Sequence, residues 1–118
     1  MKKIYDKQKK FQEEVIKKFG YYDDHSIKIP SDDVMVSSYH MLAMLEEIGE
    51  LVKSDKRWKN FRNNKLDRDN KLEELCDCFI TLMNIAMFSG FSGEEVEEAV
   101  ANKIDENYER CFGNDHNC

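Results

Sequence analysis

The chain has 118 residues, a length that suits one domain with a modest core and is short for two. Its net charge of −6 argues against a nucleic-acid polymer as a partner, because binding to a phosphate backbone depends on clusters of lysine and arginine. No apolar run approaches the roughly 20 residues that cross a bilayer, and the N-terminal MKKIYDKQKK lacks the apolar core of a signal peptide. We expect a cytoplasmic protein that does not bind a membrane.

Few turn signals interrupt the chain, which has five glycines and one proline and no run that alternates in the manner of a strand. We therefore predict an all-α fold, a bundle of four helices. One domain is expected over residues 1–112, with a C-terminal tail over residues 113–118.

The first helix is predicted from about residue 3 to residue 19, and the second from about residue 34 to residue 54. Either Ser31 or Asp32 is the expected cap of the second helix. The apolar residues expected to face the core from the first helix are Ile4, Phe11, Val15 and Phe19.

The third helix is predicted from about residue 71 to residue 88, after a basic connection over residues 55–70. The sequence SGEEVEEAV opens the fourth helix, because Ser92 and Glu95 have the spacing of a capping box. The residues expected to form the buried stripe of this helix are Val96, Val100, Ile104, Tyr108 and Cys111.

The stretch MLEEIGELV gathers acidic side chains within the second helix. At about 100° per residue, Glu46, Glu47 and Glu50 fall on one side of the helix and the apolar residues fall on the other. A solvated acidic face usually carries lysines four residues away that relieve the repulsion, and this face has none. The third helix repeats the arrangement with Glu74 and Asp77 on a surface that is otherwise mostly apolar, so these carboxylates are expected to face a protein-lined cleft.

Acidic side chains that crowd a cleft repel one another. Two carboxylates about 5 Å apart at an effective dielectric near 20 repel by roughly 3 kcal/mol, so such a cluster calls for protonation or a divalent cation. Oxygen ligands without cysteine or histidine at ligand spacing fit Mg²⁺, with Mn²⁺ as a substitute. Because Mg²⁺ in proteins is usually shared with substrate phosphates, a phosphorylated substrate is expected.

The residues expected to hold the ion lie three positions apart in each helix. Glu47 and Glu50 project from neighbouring turns of the second helix, and Glu74 and Asp77 project from neighbouring turns of the third. Together with Glu46, these carboxylates are the candidate catalytic residues.

The motif EEIGE at residues 46–50, followed after 23 residues by ELCD at residues 74–77, resembles the EExxE and ExxD signature of the all-alpha nucleoside triphosphate pyrophosphohydrolases. That group contains the MazG proteins and the dimeric dUTPases. The resemblance implies a Mg²⁺-dependent hydrolase in which water attacks the alpha phosphorus of a (d)NTP and pyrophosphate leaves, with Glu46 orienting the water. It implies dUTP, dCTP or a modified nucleotide as the substrate.

Other segments are similar to the substrate-binding parts of the dimeric dUTPases. YDKQKKFQEEVIKKFG resembles their first helix, whose glutamine faces the base, SDKRWKNF resembles a loop with lysine and tryptophan, and the closing helix carries a Lys-x-x-x-Asn-x-x-Arg pattern. The residues that this resemblance implies in substrate binding are Gln8, Trp58, Lys59, Lys103, Asn107 and Arg110. A structural role is the alternative for some of them, since the helix dipole favours basic residues near a helix end and Trp58 either stacks on a base or packs.

The chain departs from the dimeric dUTPases in three places. It lacks the extra sequence that they usually carry between the last two helices, it has Ile80 where a histidine is common, and it has no asparagine near Gln12. The resemblance therefore implies the reaction and leaves the base open.

A third helix that is apolar on nearly every side needs more cover than three helices of so small a chain offer, so we predict a homodimer or a homotetramer. Two alternatives to the hydrolase remain. One is a di-iron carboxylate bundle, which normally uses Glu-x-x-His pairs that this sequence lacks. The other is a non-catalytic helical interaction protein that keeps the fold.

Overall fold

The computed structural model describes residues 1–19, 28–59 and 64–113. The helices are α1 (Lys2–Phe19), α2 (Val34–Ser54), α3 (Arg68–Phe88) and α4 (Gly93–Phe112), with a short 3-10 helix (Lys56–Trp58) between α2 and α3. No strand occurs within the described ranges, and the prediction of an all-α fold with four helices is confirmed. The tail predicted over residues 113–118 lies outside those ranges except for Gly113. No single described helix is long and apolar enough to cross a bilayer, and α3 and α4 reach that length and composition only as a pair bent by 112°.

A side-chain cap sets the start of α2. Asp33 caps the helix, because its Oδ1 accepts a hydrogen bond from the backbone N–H of Met35 at 2.8 Å. The predicted caps Ser31 and Asp32 are therefore wrong. The hydroxyl of Ser31 instead accepts a hydrogen bond from the N–H of Asp33 at 3.2 Å and holds the capping residue in place.

Caps also set the starts of α3 and α4. Asp67 accepts a hydrogen bond from the N–H of Asn70 at 3.1 Å, so α3 begins at Arg68, three residues earlier than predicted. The capping box of α4 is confirmed, since the hydroxyl of Ser92 accepts from the N–H of Glu95 at 3.1 Å and the Glu95 carboxylate accepts from the N–H of Ser92 at 2.9 Å.

The core lies where α2 packs along α3 and where α1 packs on α3 and α4. The buried apolar side chains at its centre are Tyr5, Ile16, Val36, Met83, Met87 and Phe88. Tyr5 links α1 to α4, since its hydroxyl donates to the backbone carbonyl of Phe91 and its ring lies so close to Gly93 that a Cβ there would come within 3.1 Å. The turn between α3 and α4 places Gly90 at a φ of 91°, a conformation that favours glycine.

The apolar stripe predicted to bury α1 is largely exposed. Ile4, Phe11 and Phe19 are each at least half exposed, and Val15 is half-buried. The residues that α1 buries are Tyr5, Gln12 and Ile16. The prediction is wrong in its choice of face, because the periodicity of a helix with apolar residues on several sides does not say which side meets α3 and α4.

The stripe predicted to be buried on α4 is exposed as well. Three of its five residues, Val100, Ile104 and Tyr108, are 51%, 59% and 67% exposed. Phe112 was not predicted in the stripe but continues it at the same four-residue spacing, and it is 72% exposed. The other two residues of the predicted stripe, Val96 and Cys111, are half-buried. The prediction of burial is wrong for the single chain, because the described part of the chain packs α4 on α1 and places no helix over this side.

The single chain is more open than a globular chain of its length. Its radius of gyration is 18.0 Å, whereas about 13.5 Å is expected for 118 residues. Its accessible surface is 9355 Å², against roughly 6,700 Å² for a folded monomer of 14.0 kDa. The chain therefore exposes about 2,650 Å² more than a self-contained domain would.

His40 is a buried titratable group between α2 and α3. Its ring stacks on Phe88, with 4.4 Å between the ring centroids, and meets Tyr39 edge-on. Burial lowers the pKa of His40 from its usual 6.5. As the pH falls below about 6.5, His40 is therefore protonated more readily in the unfolded chain than in the folded chain. The free energy of unfolding consequently falls as the pH falls through this range.

We expect the His40→Gln variant to lose this part of the pH dependence, which amounts to at most about 1.4 kcal/mol per pH unit. Urea unfolding of both proteins between about pH 7.5 and pH 5.5 measures it. The acidic groups titrate in both proteins, so the difference between the two slopes isolates His40. Parallel slopes would contradict the assignment.

Candidate functional site

The acidic side of α2 is the side that packs on α3. Val36, His40 and Ser54 share this side of the helix with Glu47, and all three are buried. The large apolar residues exposed elsewhere on α2 include Met41, Leu42, Leu45, Ile48 and Val52. Glu47 consequently lies toward α3 and is half-buried.

A polar stripe runs along α3. Its residues follow one another at spacings of three and four, which places them on one side of the helix. They are Asn70, Glu74, Asp77, Thr81 and Asn84. Thr81 is buried and its hydroxyl donates to the carbonyl of Asp77 at 2.9 Å, so the stripe is packed against protein at its middle.

Three carboxylates meet where these two surfaces face each other. One carboxylate oxygen from each of Glu47, Glu74 and Asp77 lies within 4.8 Å of the other two, and all three side chains are half-buried. These three residues form the carboxylate triad. Within the described residues, no lysine or arginine forms an ion pair with any of them. The triad therefore concentrates negative charge that the chain does not neutralise.

Burial and repulsion raise the pKa of two triad members. The pKa of Glu47 is raised from its usual 4.5 by burial first and then by neighbouring carboxylates, of which Asp77 acts most strongly. The pKa of Glu74 is raised in the same way, by burial first and then by Asp77 and Glu50. Both shifts have the direction expected for acids that share a site with too little positive charge.

The triad has the composition of a site for a hard divalent cation. Ligand oxygens on one Mg²⁺ lie 2.0–2.1 Å from the ion and so up to about 4.2 Å from each other, and small side-chain rotations bring oxygens within 4.8 Å to that spacing. The triad contains oxygen donors alone, without cysteine or histidine. This donor set fits Mg²⁺ or Mn²⁺ and does not fit zinc.

Glu50 and Glu46 lie at the margin of the triad. The Glu50 carboxylate is exposed and stands 4.0 Å from the ammonium of Lys53, but its charge contributes to the raised pKa of both Glu47 and Glu74. Glu46 is exposed, and its charge acts on Glu47. The structure thus brings three of the four predicted ligands together and leaves Glu50 close by on the solvent side.

Gln8 lies beside an apolar cavity at the other end of the polar stripe. Its Nε2 donates to Oδ1 of Asn84 at 3.0 Å, which ties α1 to α3. The cavity has a volume of about 590 Å³. Large apolar residues in its walls are Ile4, Phe11, Phe79, Ile80 and Met83. Gln8 was predicted from the sequence and Asn84 was not, although the seven-residue spacing of Asn84 from Asp77 places it on the same side of α3.

Trp58 and Lys59 lie in the connection between α2 and α3. Trp58 is exposed, its Nε1 donates to the carbonyl of Val52 at 3.3 Å, and the Lys59 ammonium lies 5.6 Å from the centre of its ring. One edge of the indole is therefore anchored while much of the ring remains open to solvent. Trp58 is therefore held in place by the protein and still has ring surface available for contact with another group.

An ion-pair network fixes this connection against α3. Asp55 accepts hydrogen bonds from Arg57 at 2.6 Å and from Lys71 at 3.0 Å, and it caps the 3-10 helix. These two cations hold the pKa of Asp55 well below its usual range, Arg57 more strongly. The roles of Asp55 and Lys71 were not predicted, because a pair of residues sixteen positions apart across a turn has no local signature in the sequence.

The three predicted substrate residues of α4 lie apart from the triad in the single chain. Lys103 pairs with Glu106 of its own helix at 3.3 Å, and both are exposed. Asn107 and Arg110 form no hydrogen bond or ion pair within the described residues. Since α4 packs on α1, the structure does not bring these three side chains to the carboxylates of the same chain.

Of the comparisons with known proteins, the comparison with family models gives a match. No curated protein and no solved structure matches the chain significantly. A family model described as dUTPase matches residues 1–114, which is all but the last four residues, and it spans the four helices and the triad. The resemblance drawn from the acidic motifs is thereby confirmed. The chain belongs to the dUTPase family, a family of nucleotide-hydrolysing enzymes.

Proposed function

We propose that the protein is a Mg²⁺-dependent nucleoside triphosphate pyrophosphohydrolase. Water attacks the alpha phosphorus of a (d)NTP, the bond between that phosphorus and the oxygen bridging to the beta phosphorus breaks, and a (d)NMP and pyrophosphate leave. The observation that carries the proposal is the carboxylate triad, three half-buried acids within 4.8 Å that have no basic partner among the described residues. The family match supports the same class of reaction.

The roles of the acidic residues follow from their positions. Glu47, Glu74 and Asp77 would hold Mg²⁺, or Mn²⁺ in its place. Glu50, whose charge acts on Glu47 and Glu74, is proposed to add a further oxygen. A cation held by these carboxylates would supply positive charge to phosphate oxygens that gain negative charge and would make a water more acidic. Glu46, exposed beside Glu47, is proposed to orient the attacking water and accept its proton.

The cavity beside Gln8 is proposed to bind the base. A nucleobase has apolar faces and a polar edge, which suits apolar walls with one amide among them. The proposed substrates are dUTP, dCTP or a nucleotide with a modified base. Trp58 and Lys59 are proposed to contact the substrate from the connection between α2 and α3, through the open face of the indole and through the ammonium.

We propose that the active protein is a homodimer or a homotetramer. The excess of about 2,650 Å² of exposed surface is roughly three times the 800 Å² or so that each partner buries in a standard interface. The exposed apolar residues of α2 and α4 supply the surface for such contacts. Lys103, Asn107 and Arg110 would then reach the substrate of a neighbouring copy, which accounts for their distance from the triad in their own chain.

A panel of nucleoside triphosphates with Mg²⁺, assayed for products, tests the proposal. We expect monophosphate and pyrophosphate in equal amounts, loss of turnover in EDTA, and recovery with excess Mg²⁺ or Mn²⁺. Release of orthophosphate would contradict attack at the alpha phosphorus. Absence of turnover with every triphosphate would favour a non-catalytic helical protein, and a visible absorption band with bound iron would favour a di-iron site, although the triad includes no histidine.

A further inference from the structure

An open cavity adjoins the carboxylate triad near the start of α3. It has a volume of about 400 Å³. Its lining includes two acidic residues, Glu50 and Glu74, and three lysines, which are Lys53, Lys56 and Lys59. The cavity therefore gathers three lysines beside a member of the triad, in a chain whose net charge is −6.

The lysines of this cavity have little to neutralise them. Lys56 and Lys59 form no ion pair within the described residues, and Lys53 reaches only Glu50, at 4.0 Å. Arg57, in the same segment, differs because Asp55 holds its guanidinium at 2.6 Å. The same aspartate binds the start of α3, so the lysine-bearing segment is fixed beside the cavity without using its lysines.

The positions of the two cavities along α3 indicate the direction in which a substrate would lie. Asn84, which accepts a hydrogen bond from Gln8, is seven residues after Asp77, and Asn70, in the wall of the lysine cavity, is seven residues before it. At 1.5 Å per residue, each lies about 10 Å from Asp77 along the helix axis. On α3 the apolar cavity is lined by residues between Cys76 and Met83, and the lysine cavity is lined by Asn70 and Glu74. The two cavities thus extend from the level of the triad toward opposite ends of α3, as the base and the phosphate chain extend in opposite directions from the alpha phosphorus of a nucleotide.

We propose that Lys53 and Lys56, together with Lys59, bind the beta and gamma phosphates of the substrate and the pyrophosphate that leaves. The inference rests on the proposed function and adds two binding residues and an orientation to it. The triad repels phosphate oxygens unless cations screen it, and the leaving pyrophosphate gains negative charge as its bond to the alpha phosphorus breaks. Ammonium groups on flexible stems suit a phosphate chain that must bind and then depart.

The test is calorimetric titration of inorganic pyrophosphate in excess Mg²⁺ into the wild type and the Lys53→Gln/Lys56→Gln variant. We expect binding to weaken about tenfold in the variant. The matched control is Lys3→Gln/Lys10→Gln, which removes the same charge from exposed positions of α1 that line neither cavity. It should bind pyrophosphate within about twofold of the wild type, since exposed charges at a distance are screened by salt.

A second titration, of Mg²⁺ alone, separates binding from structure. Removing two ammonium groups beside the triad should leave Mg²⁺ affinity unchanged or tighter, whereas a disturbed fold would weaken Mg²⁺ and pyrophosphate together. Unchanged pyrophosphate binding in the Lys53→Gln/Lys56→Gln variant, equal loss in the control, joint loss of Mg²⁺ affinity, or no pyrophosphate binding by the wild type would each overturn the inference. Triphosphate hydrolysis by the wild type decides the proposed function separately, so the two failures are distinguishable.

Discussion

Replacing Asp77 with asparagine is expected to lower turnover on the order of 10³-fold while the helical content stays unchanged. The Asp77 carboxylate lies within 4.8 Å of both other members of the triad, so the substitution removes a negative charge from the centre of the proposed cation site. Asparagine keeps the size of the side chain and one oxygen, which limits any structural effect. Steady-state pyrophosphate release and circular dichroism measure the two quantities.

The same substitution should change stability in the opposite direction. In metal-free protein it relieves repulsion on Glu47 and Glu74, whose raised pKa values have Asp77 as the strongest charge contribution, and the free energy of unfolding should therefore rise. Mg²⁺ at 100 times its Kd should stabilise the wild type by about 2.7 kcal/mol and stabilise the Asp77→Asn variant much less. Thermal unfolding with and without Mg²⁺ measures both effects.

The control for these measurements is Glu97→Gln, which makes the same kind of change at an exposed position of α4. It should leave turnover and the Mg²⁺ response near those of the wild type. Full activity of the Asp77→Asn variant would remove the assignment of the triad. Lower stability without Mg²⁺ would show that Asp77 supports the fold rather than a cation.

The positions of the helices could be predicted from the sequence because local signals set them. The bounds of α2 and the capping box of Ser92 and Glu95 were predicted correctly, since spacing along one helix determines both. The cap of α2 was misplaced because Ser31, Asp32 and Asp33 are all capable of capping, and only the backbone conformation selects Asp33. The start of α3 was also misplaced, because the cap Asp67 lies within the polar connection before the apolar pattern of the helix begins.

The triad could be predicted in part, for the same reason. The spacing within α2 and within α3 placed each acid on one face of its helix. The absence of lysine and arginine from the two faces indicated that the acidic face of α2 meets the acidic face of α3. Spacing alone could not separate Glu47 from Glu50, since both lie on the acidic side and only the packing of α2 on α3 leaves Glu50 toward solvent. The Gln8–Asn84 hydrogen bond joins residues 76 positions apart and has no signal in a single sequence.

Helical periodicity identifies an apolar face but does not say which chain covers it. The face of α2 that packs on α3 carries Glu47 and His40, whereas more strongly apolar residues of the same helix are exposed. Burial of the stripe of α4 was predicted from its periodicity, without an assignment of the chain that covers it. In the proposed assembly the same residues would be buried, which would reconcile the apolar pattern with the exposure seen in the single chain.

Replacing Ile104 with glutamate is therefore expected to break the proposed assembly. Ile104 is the second residue of the exposed stripe of α4, and a charge buried in an apolar interface should weaken association at least about thirtyfold. Asn102→Glu, which adds the same charge to the opposite side of the helix, should associate like the wild type. Sedimentation velocity at micromolar concentration measures both variants, and a wild type that is strictly monomeric would contradict the proposed assembly.

Activity in mixtures of two inactive variants tests whether α4 completes the site of another copy. If Arg110 acts across a dimer, a mixed dimer of Asp77→Asn and Arg110→Gln chains places both defects in one site and leaves the other site intact. Equal mixing with subunit exchange makes half of the dimers mixed, so about a quarter of wild-type activity should return. If Arg110 acts within its own chain, every site keeps one defect and no activity returns, although the mixed dimers still form.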